Sequence, residues 1–419
     1  MDNTDFTCIL TAAIKTNASD VILMPGQKAT LRVFDNFIEL NGKNITAEDT
    51  NWIAEHVMQG RGTDWGKFTE VEVSYEEKGL GRFRVSICQS RYEKAIVIRV
   101  IPTQTRTFNQ LNLPQQVVQL ANLERGLVLV TGATGQGKST TISAILEEIN
   151  QNRKAFVLTI EDPIEFIYER NQALILQREI GEDTGSYKDA IRHGLRQHPN
   201  IIFVGEIRDA ETFEAVLTAA ETGHLVFSTM HTTDVATTIS RILSFYPEAE
   251  RETVRLRLSS SLAAILTLRL LKRRVPTVDG KIPQLCLIPA CELMVSSPSI
   301  KESLKLSSLD KTGDRTNTEK LGSPSSVDVE LEQATLGRSV TLPSIETIIE
   351  REGKALLTTG GNPSMFNFDQ YICHLLQKGE IDLATAKAAA TRPDEVERYD
   401  ILQGNQVVKS DPSKRKLKY

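Results

Sequence analysis

The chain opens in a mixed rhythm of apolar and polar positions. Residues 6–15 place apolar side chains at helical spacing, and residues 20–24 predict a strand that turns at Pro25 and Gly26. Residues 31–40 predict a hairpin turning at Asp35 and Asn36. Residues 46–58 predict a helix with Thr46 as N-cap and Asp49 at the capping-box position. Residues 71–75 alternate as a half-buried strand, and 81–88 and 94–101 continue in the same style. Together they predict a small α+β domain over 1–101. Residues 102–113 are polar and read as a linker.

From residue 114 the rhythm changes. Short, wholly apolar runs at 127–130, 156–160, 201–204 and 225–229 are separated by helical patterns such as 142–149. Such runs imply a mostly parallel sheet covered on both faces, so the fold class is α/β. Residues 254–271 read as one long helix. The core predicted in this way spans 114–304. A stretch at 305–343, rich in Ser, Thr, Asp, Lys and Gly, reads as a disordered insertion. Helical patterning returns over 344–395, and 396–419 reads as a flexible basic tail.

Composition narrows the class only a little. The absence of any run of 18 apolar residues argues against a transmembrane helix, and the acidic start argues against a secretory signal, which predicts a cytoplasmic chain. A formal net charge of −5 gives no support for nucleic acid as a direct partner. Cys8, Cys88, Cys286, Cys291 and Cys373 are scattered and lack zinc-ribbon spacing, so they read as reduced thiols, mostly core filler.

The chemistry is concentrated in 132–140, GATGQGKST: Gly132, Ala133, Thr134, Gly135, Gln136, Gly137, Lys138, Ser139 and Thr140. The pattern Gly-x4-Gly-Lys-Ser between a strand and a helix is a phosphate-binding loop. Glycines let the backbone turn its N–H groups to the phosphates, and the helix N-terminus favours the anion. Lys138 is expected to reach the β- and γ-phosphates of ATP, and Ser139 to hold Mg²⁺. Two carboxylates follow at predicted strand ends, Glu161 and Glu206. Open parallel sheets build their sites there; each alone would read as an ordinary strand-end surface carboxylate, but coming after a phosphate loop and on successive strands they favour chemistry. His224 and His231 flank the fourth run, where a structural histidine is the plainer alternative.

In order, the motifs GATGQGKST, TIEDPIEF, IIFVGEIRD and AAETGHLVFSTMHTT closely resemble the type II/IV secretion ATPases, and within them the PilT-like pilus retraction branch. The resemblance covers roughly residues 5–300 and 344–395. It implies a PAS-like N-terminal domain followed by a RecA-like ATPase domain with a helical C-terminal part. It further implies that Glu161 polarises the attacking water, that Glu206 supports Mg²⁺ and water, and that His231, with His224 nearby, faces the nucleotide between the two domains. Arg84 and Arg99, in GRFRVS and AIVIRVI, match arginines that reach phosphates across domain or subunit boundaries; surface salt bridges are the alternative. The implied assembly is a homo-hexamer at the inner face of the membrane. It would work through a PilC-like platform protein, with paralogous motor ATPases as further partners. The four-cysteine zinc element of extension ATPases is missing, which favours the retraction branch. In contrast, the retraction-associated motif, usually close to AIRNLIRE, stands here as SIKESLKL at 299–306 and is followed by the insertion. Two other readings remain open: an ATPase of type IV secretion or DNA uptake, and a nucleotide-binding regulator in mixed rings.

Overall fold

A computed structural model describes residues 2–33, 36–58, 69–101, 105–275, 284–305, 343–357, 363–399 and 401. Nearly all of the 305–343 insertion, most of the basic tail, Asp35 and residues 102–104 lie outside them. The chain divides into two compact units, Met1–Thr105 with Pro163–Glu169, and Arg106–Asp162 with Arg170–Tyr419.

The first unit contains helix α1 (Asn3–Lys15), strands β1 (Asp20–Leu23), β2 (Thr30–Val33) and β3 (Asn36–Glu39), helix α2 (Ala47–Val57), and strands β4 (Glu70–Glu77), β5 (Gly81–Ser90) and β6 (Glu93–Ile101). Helix α2 starts where expected. The Asp49 N–H donates to Thr46 Oγ1 and the Thr46 N–H donates to the Asp49 carboxylate, a reciprocal cap worth about 1 kcal/mol. The strands form an antiparallel sheet in the order β3-β2-β1-β6-β5-β4. Phe6, Leu10, Ile53, Phe83, Ile96 and Ile98 make its core, all fully buried.

The second unit begins with helices α3 (Phe108–Leu111) and α4 (Gln115–Val118), inside and just after the stretch expected to be a linker. Thr107 and Gln110 form a capping box that nucleates α3, and Phe108 is buried. The sheet follows: β7 (Gly126–Thr131), α5 (Lys138–Asn152), β8 (Phe156–Glu161), β9 (Leu174–Glu179), α6 (Tyr187–Leu195), β10 (Ile201–Val204), α7 (Ala210–Glu221), β11 (Leu225–Met230), α8 (Val235–Ser244), α9 (Glu248–Ser261), β12 (Leu262–Val275) and β13 (Gln284–Val295). Helices α10 (Pro298–Lys305), α11 (Ile345–Gly353), α12 (Phe368–Gln377) and α13 (Leu383–Ala389) complete it. Strand order is β13-β12-β7-β11-β10-β8-β9, parallel except for the β12–β13 hairpin. The four apolar runs are β7, β8, β10 and β11, side by side in the middle. Because successive side chains point to opposite faces, Leu127, Leu129, Leu158, Ile160, Ile202 and Val204 meet the helices α6 to α11. Helix α5 packs on β7 and β11.

Residues 254–271 are not a single helix: α9 stops at Ser261 and β12 begins at Leu262. Ser259 and Ser260 turn their hydroxyls back onto the carbonyls of Leu256 and Arg257, at 2.7 Å each, a local bond that weakens the helix. Leu262 then adopts extended angles (φ −68°, ψ 121°), and the apolar run enters the sheet between β7 and β13. Cys291 and Cys373 are buried, but Cys8 is exposed and so is not core filler. Among the described residues no helix is long and apolar enough to cross a membrane.

Candidate active site

The carboxyl ends of β7, β8, β10 and β11 carry the predicted groups. Strand β7 is buried throughout and delivers the chain to Gly132, whose φ is +145°. A Cβ there would stand 2.7 Å from the carbonyl oxygen of Leu268, so only glycine passes. The loop crest, Ala133, Thr134 and Gly135, is exposed, and Gly137 (φ +84°) starts α5 with no side-chain cap on its first turn. Gln136 accepts a hydrogen bond from the Leu270 N–H at 2.6 Å and pins the loop to β12. Thr131 Oγ1 donates to Thr267 Oγ1 at 2.8 Å beneath it.

Lys138 is only 9% exposed. Its ammonium donates to the carbonyls of Gly132 (2.8 Å) and Ala133 (3.0 Å), so it lies folded over the loop. It also stands 3.5 Å from His231 Nδ1. His231 Nε2 stands 3.1 Å from a Glu206 carboxylate oxygen. A single tautomer serves both contacts, with Nε2–H donating to Glu206 and Nδ1 accepting from Lys138. Glu206 also pairs with Arg208, two residues on. Lys138, His231 and Glu206 thus form a continuous chain from the phosphate loop to the end of β10. Ser139 and Thr140 follow Lys138 in the first turn of α5, half-buried.

Glu161, the last residue of β8, is 6% exposed. Its carboxylate accepts from Thr159 Oγ1 at 2.8 Å and from Gln177 Nε2 on β9 at 3.3 Å. Sequence reasoning missed both donors. Thr159 was findable, since positions i and i+2 of a strand share a face, but Gln177 sits on an unrecognised strand. His224 is not near His231. It lies just before β11, at the strand's other end, roughly 20 Å away at 3.3 Å per residue, where its Nδ1 lies 3.0 Å from the Ala219 carbonyl.

In the first unit, Arg84 and Arg99 stand directly opposite each other across β5 and β6. They belong to one row across the sheet: Phe37, Arg32, Asp20, Arg99, Arg84 and Ser74. Asp20 is buried and pairs with Arg99 at 3.1 Å and Arg32 at 3.4 Å, while Arg84 pairs with Glu72. These carboxylates offset the repulsion of facing guanidinium groups. Arg32 went unnoticed in the sequence because register is invisible there.

The Type II/IV secretion system protein family matches residues 4–303. The type IV pilus retraction ATPase PilT of Pseudomonas aeruginosa is 37% identical over 302 residues, 72% of this chain and 85% of that protein. A twitching motility protein of Neisseria gonorrhoeae is 38% identical over 276 residues, 66% of this chain and 72% of that one. The crystal structure of the pilus retraction motor PilT with bound ADP superposes with a TM-score of 0.73 at 33% identity, covering 93% of this chain and 98% of that one. The shared pattern runs from α1 to α10, and the chain belongs to the Type II/IV secretion system protein family as one of its nucleotide-binding ATPases.

Proposed function

We propose that the protein is a hexameric motor that couples ATP hydrolysis to type IV pilus dynamics, with retraction as its primary work. The observation that carries this reading is the Lys138–His231–Glu206 chain, which connects the phosphate loop to the strand end where water is handled. The residues present fit a nucleotide: an uncapped helix start, glycines at positive φ and a lysine held over the loop all favour a polyphosphate. Ser139 and Glu206 would hold Mg²⁺, which when bound neutralises charge on the transferring phosphoryl. Glu161, fixed by Thr159 and Gln177, orients the attacking water. His231 connects Glu206 to Lys138, so the presence of phosphate is felt at the water site. Arg84 and Arg99 are assigned to phosphate contacts from a neighbouring subunit, exchanging their present carboxylates for phosphate oxygens.

The first unit is read as a PAS-like module and the second as a RecA-like core. The boundaries are 1–101, a linker over 102–113, a core over 114–304, an insertion over 305–343, a helical region over 344–395 and a tail over 396–419. The motor works at the cytoplasmic face of the membrane against a PilC-like platform protein. One observation favours an accessory motor as second reading: α10 carries Lys301 and Lys305 where the retraction motif has arginines.

Lys138→Ala tests the reading. Purified protein should lose ATP turnover by roughly 10²–10³, as when one preorganised donor is removed from a charged transition state. In cells, the variant should leave excess pili that do not retract. Wild-type turnover in the variant would remove Lys138 from the chemistry, bald cells would point to extension, and no pilus phenotype would move the assignment to secretion.

A further inference from the structure

The second unit holds a cavity of about 440 Å³ bounded by α3, α4, β13 and α12. Among the described residues, none of Gly132 to Thr140 lines it. Ile288, Leu356 and Leu375 give it an apolar wall. A polar stripe of α12 faces it: Tyr371, His374 and Lys378, the last being the C-cap, recur at i, i+3 and i+7. Tyr371 is only 4% exposed, with its ring stacked on Phe366 at 5.1 Å. Its hydroxyl makes no hydrogen bond among the described residues, and it is not one of the polar atoms sealed from solvent, so it opens onto the cavity. Burial is the main cause that raises its pKa, with Cys291 and Glu380 adding to it, so the phenol stays a donor. A buried donor without an acceptor is costly, and the cavity is where an acceptor can stand. The charges on the wall are unequal. Glu380 is taken up by Arg273 at 2.7 Å. Lys378 has no ion pair among the described residues, and its charge is felt at His374. Burial first and Lys378 second lower the His374 pKa, against a hydrogen bond to the Leu356 backbone, so that ring is neutral at pH 7 and leaves Lys378 uncompensated.

We propose that this cavity binds a small organic carboxylate, with its charged group at Lys378, its apolar body against Ile288, Leu356 and Leu375, and a carbonyl-type acceptor against the Tyr371 hydroxyl. Tyr371 and Lys378 are two helical turns apart, about 10 Å along the axis, so the ligand is elongated, with polar ends and an apolar middle. The volume lies in the range of roughly 300–1,000 Å³ that small-molecule sites occupy. A single free cation matches the one charge of a carboxylate better than the charge of about −2 on a phosphate monoester.

The probe is para-acetylbenzoate, which has a carboxylate and a ketone at opposite ends of a ring. Two controls keep its shape: para-isopropylbenzoate lacks the ketone oxygen, and para-acetylbenzamide lacks the charge. Titration calorimetry of the full-length protein should show the probe binding about fivefold more tightly than the first control and about tenfold more tightly than the second. Tyr371→Phe keeps the ring and removes only the hydroxyl. It should weaken para-acetylbenzoate about fivefold and leave para-isopropylbenzoate unchanged. Lys378→Met should weaken both benzoates about tenfold and leave the amide unchanged. Both variants should bind a fluorescent ADP analogue as wild type does, which separates loss of the site from loss of the fold. Equal affinity for the three compounds, or no binding heat at about 10 mM probe, would overturn the proposal. So would wild-type affinity for the ketone in Tyr371→Phe. Displacement of the probe by ADP would put it in the phosphate loop and equally rule out this site.

Discussion

Glu292, on β13, gives a prediction whose size follows from the fold. The side chain is almost fully buried, and its carboxyl is pushed up to about 7. Burial is the largest cause. The Val235 N–H, donating at 2.9 Å, and Arg269 act against it, while Asp234 and Glu346 add to it. In the unfolded chain the same group titrates near 4.5. Between those two values the folded protein holds a proton that the unfolded chain has released. Stability must therefore fall as pH rises from 4.5 to 7 and level off above. At about 1.4 kcal/mol per pH unit, the full effect is roughly 3 kcal/mol by pH 8.

Glu292→Gln should remove that slope. The amide oxygen still accepts from Val235, and no charge needs burying at any pH. The variant should match wild type near pH 4.5 and exceed it by roughly 3 kcal/mol at pH 8. Urea denaturation at a series of pH values measures this. Far-UV circular dichroism is the appropriate probe, because both tryptophans of the sequence, at positions 52 and 65, precede Arg106, where the second unit begins. Parallel pH dependence in the two proteins, or a glutamine variant less stable than wild type at pH 8, would refute the assignment of buried charge to this position.

Two further substitutions probe the loop and its surroundings. Gly132→Ala forces a Cβ to 2.7 Å from the Leu268 carbonyl at a φ of +145°, and should cost roughly 2–4 kcal/mol in thermal or urea melts together with nucleotide binding. Gly135→Ala is its control, since nothing lies within 4 Å of that Cβ and only about 1 kcal/mol of left-handed strain is added. Arg269→Ala removes bonds to the carbonyls of Ala389 (3.0 Å) and Thr233 (3.4 Å) and a stack over the Phe368 ring (3.9 Å), worth roughly 2–4 kcal/mol together. Hydrogen exchange should then accelerate in α12 and α13, and unchanged protection there would remove Arg269 as their anchor.

The parts of the fold that sequence made legible are those where one local signal had no competitor. Strands β7, β8, β10 and β11 are buried on both faces, so their apolar runs could be nothing else. The run beginning at Leu262 had a competitor. Val254, Leu258 and Leu262 continue a helical repeat, and only pairing with Leu127 to Thr131 on β7, a contact more than a hundred residues away, makes a strand of it. Strand β9 is an edge strand whose sequence, LILQRE, mixes apolar and polar residues without clean alternation. Strand β13 includes Pro289, which an edge strand tolerates and a sequence reading takes as a break. At the site the same division holds. The glycines and strand-end glutamates are one-dimensional signals. The facing of Arg84 and Arg99 and the Gln136 bond to β12 depend on register and packing that no spacing encodes.

That division bears on how a nucleotide-dependent change could leave the site. The segment from His231 to Asp234 is four residues long, and its two ends are held by different chemistry. At His231 the imidazole touches Lys138 and Glu206. Two residues later the Thr233 carbonyl accepts from Arg269, whose other contacts are the Ala389 carbonyl and the Phe368 ring. The residue after Asp234, Val235, donates to Glu292 at the start of α8. A shift of His231 against the phosphate loop must therefore either strain this short segment or move the guanidinium that holds α12 and α13. Segments this short, tied at both ends, pass on displacement rather than absorb it, because packed interiors do not deform continuously. By this route the phosphate loop is joined through two side chains, His231 and Arg269, to the C-terminal helices α12 and α13.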